Sequence, residues 1–78
     1  MAREVREIQI REDTIRLGQL LKLAGIVDSG SEVKLLLADR PAIVNGEPEV
    51  RRGRQLRSGD TVTIGEDALR VAGRPRPG

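Results

Sequence analysis

The 78-residue sequence predicts an α+β domain, with two consecutive helices packed on a small, mostly antiparallel sheet of short strands. Three observations carry that expectation. Ile8 and Ile10 alternate with polar residues near the N-terminus, the period of a half-buried strand. Two successive leucine-rich stripes then follow helical spacing, and an Asn-Gly pair later divides two short extended segments.

Taken in order, residues 4–11 read E-V-R-E-I-Q-I-R, a strand with Ile8 and Ile10 inward. Asp13 or Thr14 offers a cap for the first helix. Leu17, Leu20, Leu21 and Ala24 fall at i, i+3, i+4 and i+7, and Gly25 marks the helix end. Ser29-Gly30-Ser31-Glu32 has the form of a capping box for a second helix. Val33, Leu36 and Leu37 form its buried stripe, with Lys34 off it, until Pro41 stops it.

Ala42-Ile43-Val44 reads as a short strand, and Asn45-Gly46 as a tight turn whose central residues need positive φ. The returning arm runs from Glu47 to Val50, and Pro48 confines it to a sheet edge. Arg51 to Arg57 reads as an irregular basic segment. Ser58-Gly59-Asp60 is a turn before a strand from Thr61 to Ile64, and Leu69 and Val71 suggest a further short strand. The expected domain covers 1–72, with a disordered tail at 73–78 where Arg and Pro alternate.

Composition narrows the function classes. The chain has no Cys and no His, which removes disulfides, thiol nucleophiles, imidazole chemistry and the usual zinc sites. No catalytic residues, metal or cofactor are expected, because no acidic pair stands at a recognisable acid/base or metal spacing. The polar N-terminus and the lack of a long apolar run predict a cytoplasmic protein that makes no membrane contact. Residues 1–39 hold 6 basic and 7 acidic side chains, whereas residues 40–78 hold 8 and 5. The excess gathers at Arg51, Arg52, Arg54 and Arg57, and guanidinium forks suit phosphate. With no Phe, Tyr or Trp, base stacking on a sheet is excluded and backbone contact is left.

The ordered set Arg16-Leu17, L-L-K-L-A-G at 20–25, S-x-S-E-x-K at 29–34, V-N-G-E at 44–47 and S-G-D-T-V at 58–62 resembles a known family. It is similar to the alpha-L RNA-binding domain, the type named for small-subunit ribosomal protein S-four, over a core of 16–64. With R-R-G-R following the hairpin, it looks like a short stand-alone bacterial member. The resemblance implies a module docking on structured RNA, ribosomal or transfer RNA; the lack of aromatic rings predicts low sequence specificity, and a monomer is expected. The family's contact positions fall on Arg16 and Gln19 in the first helix and on Gly30, Ser31 and Lys34 in the second. Arg51, Arg52 and Arg54 flank the same surface. Basic residues common in the family at positions 30 and 43 are Gly30 and Ile43 here, and Arg40 stands where glycine is common, so the footprint is expected to shift toward 40 and 51–54.

Two other readings remain at this point. V-N-G-E, the L-R-S-G-D-T-V-T-I run at 56–64 and the glycine-ended tail resemble beta-grasp sulfur carriers, although Pro77 precedes the terminal Gly78. Alternatively the chain is a protein-interaction module on a ribosomal complex, using Glu12-Asp13 and Ile43.

Overall fold

A computed structural model describes residues 4–73. Strand β1 (Val5–Gln9) is followed by β2 (Thr14–Arg16), helix α1 (Leu17–Leu23) and helix α2 (Gly30–Asp39). Five short strands complete the chain: β3 (Ala42–Val44), β4 (Glu47–Glu49), β5 (Gln55–Arg57), β6 (Thr61–Ile64) and β7 (Asp67–Ala72). The main sheet has the order β1-β7-β6-β3-β4, antiparallel except for the parallel β1–β7 pair. Strands β2 and β5 form a separate antiparallel ribbon. The α+β class and the two-helix plan are those expected from the sequence.

The core is aliphatic throughout. Ile8, Ile10, Leu17, Leu20, Leu21, Val33, Leu37, Val62, Leu69 and Val71 lie in one buried cluster, so the stripes read from the sequence all face inward. Leu36 packs partly against it. Helix α1 is capped at Ala24, just past its last residue, and Gly25 follows at φ 78°. Asn45 and Gly46 take φ 51° and 87°, closing the β3–β4 hairpin in a left-handed turn that glycine occupies without strain. Pro48 lies on β4, the edge strand, where its missing N–H leaves no ladder bond unmade.

The structure corrects several expectations. Helix α1 begins at Leu17, not after Asp13 or Thr14, and Thr14–Arg16 is a strand. The reason is tertiary: the Leu17 and Gly18 amides donate to the carbonyls of Arg54 (2.8 Å) and Arg52 (2.9 Å), so a distant loop does the work of a capping side chain. On α2 the Ser29 hydroxyl accepts from the Glu32 amide as expected, but the Glu32 carboxylate accepts from Asp28 rather than Ser29. Residues 51–54 are irregular, yet Gln55–Arg57 is a strand. A lone Leu56 between two polar residues is too short a pattern to read without its partner β2. The strand suggested by Leu69 and Val71 is the longest in the fold and lies inside the sheet between β1 and β6. Of the tail expected at 73–78, only Gly73 lies within the described residues. Its amide donates to the Ser58 hydroxyl and its carbonyl accepts from Gln9.

Candidate nucleic-acid interface

The loop between β4 and β5 is shaped by a carboxylate. Glu47 and Pro48 of β4 are exposed, but its last residue, Glu49, is only 7% exposed. A buried carboxylate needs partners, and Glu49 has four donors. The Arg51 Nε and Nη2 reach its two oxygens at 3.0 and 3.1 Å, the Arg51 amide donates at 3.0 Å, and Arg54 Nη1 donates at 3.0 Å. The arginine fork thus closes on the residue two before it.

These contacts hold the Glu49 carboxyl near pKa 2 rather than 4.5, chiefly through the side-chain hydrogen bond from Arg51 and then its amide; burial opposes them, and Arg54 adds to them. The same hydrogen bond pushes the Arg51 guanidinium up. Because the folded pKa is depressed, the stability Glu49 contributes is complete above pH 4.5 and is lost as pH falls toward 2. The urea midpoint of the wild type should therefore fall across that window more than the midpoint of Glu49→Gln. Parallel curves for the two proteins would show that the carboxylate does not stabilise the loop.

Pinned by Glu49 at one end and by the α1 amides at the other, the loop lies across the start of α1. An added Cβ on Gly18 would sit 3.4 Å from Val33 and 3.5 Å from Arg52, ordinary van der Waals distances, so helix, loop and α2 lie close together at this point. Where the three meet there is a cleft of about 260 Å³. Its walls are Arg16, Gln19 and Lys22 from α1 and its cap, Gly30 and Val33 from α2, and Arg52-Gly53 from the loop.

Four of the eight residues expected from the sequence, Arg16, Gln19, Gly30 and Arg52, come together in this cleft. Gln19 accepts from the Arg16 amide through its carbonyl oxygen, which leaves its NH₂ free to donate. Ser31 and Lys34 are exposed on the first turns of α2, Lys34 one turn beyond Gly30 on the same side. The amides of Gly30 and Ser31 meet no protein acceptor among the described residues. Arg51 and Arg54 do not line the cleft; their guanidinium groups are engaged by Glu49. Arg40 stands at the opposite end of α2, beside Asp39 and Gly65, and does not join this surface.

Lys22 is a cleft residue that the sequence reading missed. The available signal was its position three residues after Gln19, which puts both on one helix face. Glu49 was also missed, since its pairing with Arg54 depends on how the loop folds back.

The described residues make four ion pairs: Arg40–Asp39, Arg51–Glu49, Arg54–Glu49 and Arg70–Glu7. None involves Arg16, Lys22, Lys34 or Arg52. The cleft thus gathers cations with no carboxylate in ion-pair range, an arrangement suited to an anionic ligand. Among the described residues no cluster could hold a metal ion, and no helix is long and apolar enough to cross a membrane.

A two-helix α+β fold with a basic cleft between its helices and an arginine loop defines a class of small domain with a cationic face. Comparison with known families places it further: residues 8–72 match the S4 domain, and the chain belongs to that family. The alpha-L resemblance seen in the sequence is borne out, and the beta-grasp carrier resemblance is not the one the whole chain follows. The chain is also 47% identical over 57 residues to a protein of Bacillus subtilis (strain 168), across 73% of this chain and 80% of that one. That relative bears the name "Probable ribosome maturation protein RlbA".

Proposed function

We propose that this chain is a non-enzymatic RNA-binding module that grips structured RNA by its sugar-phosphate backbone through the cleft between α1, α2 and the 51–54 loop. The observation that carries this reading is the convergence of Arg16, Lys22 and Arg52 with no carboxylate to neutralise them. Gln19, Gly30, Ser31 and Lys34 extend the footprint along the two helices. Arg51 and Arg54 belong to it mainly as supports, fixing the loop that presents Arg52.

The lack of aromatic residues makes the contact one of shape and charge, so sequence preference is low. The name of the Bacillus subtilis relative favours ribosomal RNA over transfer RNA as the ligand. The module works as a monomer in the cytoplasm.

The test is filter binding of the pure protein to ribosomal RNA and to transfer RNA over a range of salt concentrations. With about 4–5 phosphates neutralised, the log–log slope of affinity against salt is expected to be roughly −3 to −4.5. A flat salt response, or no binding at low salt, would sink the proposal.

One observation favours a second reading, docking on a ribosomal complex through protein. The strand registers set Pro48, Ile43, Thr63, Ala68 and Val5 in one row across the sheet face turned away from the helices, and Ile43 and Val5 are exposed. Nuclease treatment of a pull-down separates the two readings, because only a protein contact survives it.

A further inference from the structure

The β2–β5 ribbon has a polar face beyond the cleft. Its register sets Thr14 opposite Arg57, Ile15 opposite Leu56 and Arg16 opposite Gln55. Directly opposed residues share a face, and successive residues alternate between faces. Leu56 is fully buried and Ile15 packs on the core, so Thr14, Arg16, Gln55 and Arg57 leave on the other side. Arg16, Gln55 and Arg57 are exposed there.

This face carries two arginines and no acidic residue. Like the cleft cations, Arg57 takes part in no ion pair among the described residues. The acid nearest to it along the chain, Asp60, is already engaged: its carboxylate accepts from the Arg57 amide at 2.8 Å and from the Asn45 side chain at 3.1 Å. Glu12 and Asp13 lie in the chain just before Thr14, and there the acid-free stretch stops.

Arg16 belongs to both surfaces, as a wall of the cleft and as the ribbon residue opposite Gln55. The ribbon is also tied to the cleft. The Leu17 and Gly18 amides bond to the carbonyls of Arg54 and Arg52, the residues that lead into β5. Diagonal neighbours on such a ribbon, as Arg16 and Arg57 are, stand roughly 7–8 Å apart. With no aromatic ring anywhere in the chain, the ligand of this face is a phosphodiester backbone and not a stacked base.

We infer that the outer face of the β2–β5 ribbon is a second RNA-contacting surface, on which Arg57 extends the phosphate track that leaves the cleft through Arg16. This rests on the RNA-binding reading above. It adds to that reading a defined path for the strand, from Lys22 and Arg52 over Arg16 to Arg57. Arg51, adjacent to Arg52 in sequence, is off the path because Glu49 holds its fork.

The experiment measures binding of the full chain to a labelled stem-loop of ribosomal RNA as salt is varied. Four variants are compared with the wild type: Arg57→Ala, Arg57→Lys, Arg52→Ala in the cleft, and Arg70→Ala on the far sheet face. Arg57→Ala should weaken binding several-fold and make the salt slope shallower by about 0.7–0.9, the share of one phosphate. Arg57→Lys should keep the slope, since the charge is retained. Arg70→Ala should behave as the wild type. If Arg52→Ala weakens binding while Arg57→Ala matches the wild type in affinity and slope, the ribbon surface is overturned and the cleft reading stands. If neither variant changes binding, or the RNA does not bind, both are overturned. Far-UV circular dichroism and a melting curve for each variant separate contact loss from unfolding. Arg57 is exposed, so its alanine variant should melt with the wild type.

Discussion

Arg52→Glu is expected to lower affinity for structured RNA by about 10–100-fold at low salt, with the fold intact. Hydrogen bonds to charged groups contribute about 1.5–3 kcal/mol, and a reversed charge adds repulsion to the lost contact. Arg52 has no ion-pair partner among the described residues, so its removal leaves no buried charge behind. The variant should keep the wild-type melting curve and show a salt slope shallower by about 1. Arg51→Glu makes an informative contrast. It places a second carboxylate beside Glu49, so the loop itself is disturbed and the melting curve should shift as well. Equal RNA affinity for Arg52→Glu and the wild type would mean that the cleft is not the contact surface.

The largest stability effect is expected from Leu56→Ala. Leu56 is fully buried in the core cluster and anchors the ribbon beneath the cleft. Truncating a buried leucine costs about 2–5 kcal/mol, lost transfer energy and residual cavity together. A domain of this size has on the order of 4–12 kcal/mol of stability in all, so the loss is a large fraction of it. A fall in Tm of about 10 °C or more should follow, read by far-UV circular dichroism because the chain has no Trp or Tyr to report by fluorescence. Leu35→Ala is the control: that side chain is 71% exposed on α2 and should change stability by less than about 0.5 kcal/mol. An unchanged Tm for Leu56→Ala would mean that the ribbon does not depend on this anchor. Below their melting temperatures, the RNA affinities of the two leucine variants report whether the ribbon's position matters for binding.

The legible parts of the fold were those written in local periodicity. Leu17, Leu20, Leu21 and Ala24 could be assigned inward from spacing alone, because 3.6-residue geometry puts them on one stripe whatever they pack against. The same holds for Asn45-Gly46, whose turn type follows from the two residues that tolerate positive φ. Leu56 was not legible. Three residues of strand carry no period, and only the partner strand makes them one.

The candidate site divides in the same way. Arg16, Gln19, Gly30 and Lys34 could be proposed because the family pattern runs through them, and the first three line the cleft. The arginine cluster at 51–54 was visible as charge. That Arg52 lines the cleft while Arg51 and Arg54 turn back to one carboxylate was not visible, because ion pairing across a loop depends on its three-dimensional path.

The sequence by itself determined the α+β class, the two helices with their buried stripes, the hairpin and the resemblance to the S4 type. Helical spacing, turn chemistry and motif order are properties of neighbours along the chain. Only the tertiary structure decided where α1 begins, which strands pair, and which cations are left without a carboxylate. Those depend on residues far apart in sequence meeting in space. The amides of Leu17 and Gly18 find their acceptors more than thirty residues away, at Arg54 and Arg52, and that single junction builds the cleft.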